Sequence, residues 1–288
     1  AWIDFAVIIS ALCGIVGLQH TLRREEHPAG EPYALMLLAS VGAMLMVHAV
    51  DSIALFVGIE LASLSIYAMI GLRRHRLDSG EGLLKYFVMG AVFSALYLYG
   101  AALLFGATGT TAFGAAGLEG RESLFAVGYG FVFLGLLFKV GVVPFHFWSP
   151  DAYSGAPLAV TGFMASVMKL GGFTAIGVLW LSLMNSYYPG PQTVFSISEA
   201  TALMESPIEL PAIVQKWSVA FLVLGVLSVV IGNLSALGQS STRRIMAFSS
   251  TAHAGYMLLS LPLHELDGSS IHHLWYYLIG YAIATSAM

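Results

Sequence analysis

The stretch that decides the fold runs from Phe138 to Pro157 and reads FKVGVVPFHFWSPDAYSGAP. It sets a lysine, Lys139, at the end of an apolar run and meets a proline, Pro144, five residues later. Proline removes a backbone donor and breaks a helix. Non-helical backbone at membrane depth is tolerated only where protein or water surrounds it. The stretch therefore predicts a broken helix or a packed re-entrant turn if its setting is a membrane. Hydropathy alone leaves an ordinary cytoplasmic loop open as the other reading.

The composition supplies the setting. Of 288 residues, 58% are hydrophobic and only 10% are charged, against roughly 25% charged in a soluble domain. That excludes a water-soluble enzyme and a disordered chain. The net charge of −4 disfavours a nucleic-acid binder, whose usual footprint is basic. A single cysteine, Cys13, excludes an internal disulfide framework and a cysteine-built metal site. No nucleotide fingerprint, haem-attachment motif or soluble domain is visible.

A membrane-spanning helix needs about 20 mostly apolar residues. Nine such stretches are expected, at 2–21, 33–50, 53–72, 82–106, 123–143, 157–184, 217–237, 244–263 and 271–288. No alternation repeats as a membrane β-barrel requires. Alternate connections carry Arg23 and Arg24, then Arg73, Arg74 and Arg76, then Arg243 and Arg244. The opposite connections hold only Arg121 and Lys216. Basic loops stay cytoplasmic, so Ala1 is expected to face outside. Trp2, Trp180, Trp217 and Trp275 fall near span ends, as interfacial anchors do. The longer outer connections, 107–122 and 185–216, read as plain connectors. The chain begins at Ala1 without a signal-peptide pattern and stops inside its last span, so a piece of a longer protein is expected.

Three lysines, Lys85, Lys139 and Lys169, and one acid, Glu60, fall within the apolar spans. Each such charge costs about 2.5–3.5 kcal/mol on insertion scales. They must pair, neutralise or line a hydrated path. Lys85 is about a turn from the cytoplasmic end of its span, where a long stem can snorkel to the interface. Glu60, Lys139 and Lys169 are deeper. Glu60 paired with a lysine as a static structural bridge is the plainer reading of the same residues. The functional reading is proton transfer. Burial disfavours a charged ammonium and a nearby carboxylate restores it, so the distance to Glu60 would switch a lysine between loaded and empty. Histidine titrates near neutrality. His146 lies in the break, and His253 lies among small polar residues that suit water. His48 reads as interfacial. His272 and His273 are adjacent, face different sides of a helix, and do not look like a metal pair.

These residues together resemble a known family. GIELASLSIY (58–67) is similar to the segment around the membrane glutamate of the antiporter-like subunits of respiratory complex I. EGLLKYF (81–87) resembles the next helix of that family, and the stretch 138–157 resembles its broken central helix. ASVMKLGGF (165–173) carries the following lysine, and RRIMAFSSTAHAGY (243–256) looks like the start of the second repeat. The order and spacing match from about residue 30 onward. Lysine rather than histidine at 169 places the resemblance nearest the N-type branch. Ala159 departs from a second proline often seen after Gly-Ala-Pro.

The resemblance implies an all-α, polytopic transmembrane bundle with inverted five-helix repeats and a broken helix, apparently truncated. The expected division is a leading helix and loop (1–32), a first repeat (33–184), an outer loop (185–216) and an incomplete second repeat (217–288). The resemblance also implies proton translocation driven by quinone reduction elsewhere in NADH:quinone oxidoreductase. Glu60 would modulate Lys85 or Lys139, Lys139 would be the central carrier, and Lys169 would pass protons onward, with His253 and His146 as relay candidates. No cofactor or metal is expected in this chain; NADH, FMN, iron–sulfur clusters and quinone would sit in other subunits. Expected partners are other membrane-arm subunits, lipids and protons, in a bacterial cytoplasmic membrane. The rivals are a multisubunit sodium/proton antiporter subunit and a structural membrane subunit with static ion pairs.

Overall fold

The computed structural model describes residues 2–25, 30–73, 75–114, 118, 120–187, 212–262 and 270–286. Ten helices form, and no β-strand is present among the described residues. They are α1 (Trp2–Glu25), α2 (Gly30–His48), α3 (Ser52–Ile70), α4 (Leu77–Thr108), α5 (Glu122–Val140), α6 (Ser149–Gly155), α7 (Leu158–Tyr187), α8 (Ala212–Leu237), α9 (Thr242–Leu259) and α10 (Ser270–Ser286). Nine correspond to the expected spans, and α6 is the extra piece supplied by the break. Seven, namely α1 to α5, α7 and α8, are long and apolar enough to cross a membrane. The chain is a polytopic helical membrane protein.

The helices start and stop for local reasons. Asp51 caps α3 by accepting from the Ile53 and Ala54 amides, both at 2.9 Å. The α5 helix ends three residues short of the expected 143, because Gly141 takes a left-handed φ of 72°. Its amide donates to the Leu137 and Phe138 carbonyls. Pro150 stands in the first turn of α6, where no donor is missed. Residues 188–211 of the expected outer loop, Arg74, and the side chains of Arg23 and Arg24 lie outside what is described.

Helix α7 is the centre of the bundle. It is mostly apolar and buried nearly all round, with Val160, Phe163, Phe173, Ile176 and Trp180 all buried and Lys169 its one charged residue. It packs against α1, α2, α3, α5, α6, α9 and α10, and touches α8 through Trp180. Trp180 corrects the expectation of an interfacial anchor. Because α7 continues to Tyr187, Trp180 is wholly buried and its ring meets Phe221 of α8 at 5.3 Å. Helices α4 and α8 instead turn rows such as Val88, Val92, Leu222, Val226 and Val230 outward.

Small residues set the closest helix crossings. A Cβ on Gly42 of α2 would stand 2.5 Å from the Ala62 amide and 2.8 Å from the Gly58 carbonyl of α3. Backbone cannot yield as a flexible side chain can. We expect Gly42→Ala to force α2 and α3 apart and destabilise the protein by about 1–3 kcal/mol. Gly80→Ala, where nothing lies within 4 Å, is the control. Thermal unfolding in detergent checks this; equal midpoints for the two variants would contradict the packing account.

Candidate functional site

Glu60 and Lys139 come together inside the bundle. The Lys139 ammonium lies 3.9 Å from Glu60 Oε1, the lysine side chain 2% exposed and the carboxylate 26%. Each member of the pair also bonds hydroxyls of its own. Ser94 of α4 donates to Glu60 Oε1 at 2.5 Å. Lys139 donates to Ser63 Oγ at 2.9 Å and more weakly to the Tyr67 hydroxyl at 3.4 Å. Ser63 spends its own proton on the Ile59 carbonyl, which leaves its oxygen free to accept. Ser63 and Tyr67 follow Glu60 by three and seven residues, so one face of α3 carries all three groups. A Cβ on Gly90 would lie against the Tyr67 hydroxyl, so this glycine of α4 makes the space for it.

Aromatic rings complete the surroundings of Lys139. Its ammonium lies 5.8 Å from the Tyr67 ring centre, 5.9 Å from Tyr86 and 5.8 Å from Phe138. Rings at this range stabilise a cation. Tyr67 meets Tyr86 edge-on at 4.6 Å, and Tyr86 stacks on Trp148 at 3.9 Å and 11°.

The break satisfies its own backbone groups. The indole N–H of Trp148 donates to the Phe138 carbonyl at 3.1 Å. The Val143 amide donates to Ser228 Oγ of α8 at 2.9 Å, and the Ser149 amide to the His146 carbonyl at 3.0 Å. This is what irregular backbone among apolar helices requires.

A small cavity of about 10 Å³ lies beside the break, roughly the room one water needs. Lys139, Gly141, Trp148 and Ser149 of α5 and the break line it together with Lys169 of α7 and Ser250 of α9. Lys169 is buried, and its ammonium donates to the Ser250 carbonyl of α9. It also lies 5.5 Å from the Tyr281 ring centre. His253 stands 4.9 Å from the same ring, and its Nδ1 is 2.6 Å from the Tyr277 hydroxyl. Glu60, Lys139, the cavity, Lys169, Tyr281 and His253 thus form one continuous line.

Lys85 and His146 stand off that line. The Lys85 side chain, 42% exposed, pairs with Glu81 at 2.5 Å and Asp151 at 2.6 Å. Ser94, which binds Glu60, is nine residues further along α4, or about 13 Å of helix rise. Of the two lysines expected near Glu60, only Lys139 is its neighbour. His146 is buried against Phe147 and Phe248, with rings at 5.0 and 6.3 Å, and does not line the cavity. Sequence reading missed Ser63, Tyr67, Ser94, Tyr86 and Tyr281. The spacing of Ser63 and Tyr67 from Glu60 was the available signal. Among the described residues no cluster of three or more metal-ligating side chains occurs.

The family profile described as NADH:quinone oxidoreductase/Mrp antiporter, TM, matches residues 49–214 and 207–288. NADH-quinone oxidoreductase subunit N of Gemmatimonas aurantiaca is 34% identical over 288 residues, covering 98% of this chain and 50% of that protein. The chain spans about half the length of the curated relatives it matches. Respiratory complex I from Thermus thermophilus contains a chain similar at 32% identity and a TM-score of 0.72, covering 99% of this chain and 56% of that one. The Mrp complex from Dietzia contains one at 20% identity and a TM-score of 0.77, covering 100% and 49%, a likeness of fold alone.

Trp148→Phe keeps an aromatic ring but leaves the Phe138 carbonyl without its indole donor. The Gly141 amide still donates to that carbonyl, so the expected loss is about 0.5–1.5 kcal/mol, the net worth of one hydrogen bond. A lowered thermal midpoint would show it, and an unchanged one would mean that the bond contributes nothing.

Proposed function

Because this chain belongs to the NADH:quinone oxidoreductase/Mrp antiporter transmembrane family, we propose that it moves protons within the membrane arm of an NADH:quinone oxidoreductase. The observation that carries the reading is the buried line from Glu60 through Lys139 and the cavity to Lys169. Quinone reduction in other subunits drives the movement, and NADH, FMN, iron–sulfur clusters and quinone belong to those subunits. The setting is a bacterial cytoplasmic membrane, and the partners are other membrane-arm subunits.

Lys139 is the carrier in this reading. With Glu60 close, its ammonium is favoured; with the carboxylate withdrawn, burial favours the neutral amine. The proton then leaves Lys139 Nζ through a water in the cavity and binds Lys169 Nζ. His253, across the Tyr281 ring, takes the next place. Two unit charges at about 4 Å interact by about 4 kcal/mol at an effective dielectric near 20. Moving one charge through 100 mV takes about 2.3 kcal/mol. Opening and closing the pair is therefore of the right order to work against a membrane potential. Each group also has hydroxyl partners of its own, Ser94 for Glu60 and Ser63 with Tyr67 for Lys139, which a moving pair could keep. Lys85 and His146 are left off the route by their positions.

The family's description names the Mrp antiporter as well, which favours a second reading, a sodium/proton antiporter subunit. In the intact complex carrying Lys139→Ala, we expect normal assembly with NADH:quinone turnover and proton uptake into vesicles both reduced about tenfold or more. Unchanged turnover and uptake would overturn the carrier role. Sodium-dependent exchange without NADH, lost in the same variant, would favour the antiporter.

A further inference from the structure

Helix α6 has only seven residues, too few to hold its own shape or direction. Something outside it must fix it, and the ties converge on Asp151. One carboxylate oxygen, Oδ2, accepts from Lys85 of α4 at 2.6 Å. The other, Oδ1, accepts from Arg244 of α9 at 3.2 Å. Glu81 is the second acid on Lys85, and Gln239 accepts from Arg244 Nε at 3.1 Å. Arg243 donates to the carbonyls of Ser154 and Ala156 at the far end of α6. Gly82 lets α4 approach the Asp151 backbone, where a Cβ would stand 2.6 Å from its carbonyl oxygen.

This cluster adjoins the lysine line. Lys85 and Tyr86 are consecutive in α4. The first meets Asp151, and the second stacks on Trp148, three residues earlier in the break. The two contacts are neighbouring rungs between α4 and α6. Trp148 lines the cavity between Lys139 and Lys169, and Tyr86 packs against Tyr67, whose hydroxyl accepts from Lys139.

We propose that Asp151 is a positioning residue for the lysine pair: held between Lys85 and Arg244, it fixes α6 so that Trp148 walls the cavity that separates Lys139 from Lys169. Lys85 then supplies a fixed positive charge rather than a transferable proton. The inference rests on the proton route proposed above.

The test uses the intact complex. Ser149→Cys, in a chain with Cys13→Ser, reports access to the cavity through its labelling rate with a small water-soluble thiol reagent, read on this chain by mass spectrometry. Asp151→Asn is expected to speed labelling about threefold or more by loosening the local structure. Without the reporter cysteine, it should lower quinone-linked proton uptake about tenfold and alter the pH profile of turnover, as misplacement of a reacting pair does. Lys85→Ala should fall in between, and Lys85→Arg should recover most of the loss. If Asp151→Asn does not assemble, Asp151→Glu carries the same comparison. Unchanged labelling and turnover in the Asp151 variant overturn the proposal, as does Lys85→Arg behaving no better than Lys85→Ala. Faster labelling with an unchanged pH profile and uptake overturns the link to the proton route. Lys139→Ala, measured in parallel, reports on the route itself: full pumping there sinks the functional reading whatever Asp151 does.

Discussion

An ammonium group buried among apolar helices must be met by acceptors, and the surroundings of Lys139 are organised around that need. Its stem leaves the last turn of α5, so the acceptors come from α3 and the space for them from α4. Ser63 and Tyr67 supply lone pairs, and Glu60 supplies charge at a remove. The aromatic rings add attraction without adding a proton acceptor. The result is a cation that is solvated by protein yet not neutralised by a directly hydrogen-bonded carboxylate.

Close glycine crossings recur along the chain, α4 meeting α5 at Gly100 and Gly128, and two of them flank titratable side chains. Helices α2 and α3 meet at Gly42, Gly58 and Ala62, and α8 and α9 meet at Gly225, Gly232, Ala252 and Gly255. In each case a Cβ on a glycine would strike the facing backbone. Glu60 stands two residues after Gly58, and His253 two residues before Gly255. Small residues at helix crossings bring backbones close where lipid gives no hydrophobic drive to association. At each crossing the titratable side chain is thereby set close to a backbone junction with little freedom to drift.

Much of this was legible in sequence. Apolar run length gave the long helices, and Pro144 with Lys139 marked the break within a few residues. The buried charges identified themselves by being in the wrong solvent. What was not legible followed from tertiary placement. Trp180 looked interfacial because span ends were judged by hydropathy, while α7 continues past it into the bundle. Lys85 was readable as a lysine near its span end, but its partner Asp151, which α6 brings to it, was not. Asp151 itself was hidden inside a motif read for its proline and lysine. Tyr281 became a neighbour of Lys169 only through the packing of α10 on α7.

The acceptor of Lys169 has a different character from that of Lys139. Ser250 offers its main-chain carbonyl, not its hydroxyl. A peptide oxygen does not titrate, is not altered by replacing the side chain, and is present whatever residue occupies the position. Drift in the gene can therefore retune the environment of Lys139 one hydroxyl at a time, but it cannot delete the anchor of Lys169 by the same route. That anchor changes only if α9 shifts as a body. The second lysine is coupled to the position of a helix, and the first to the identity of its neighbours.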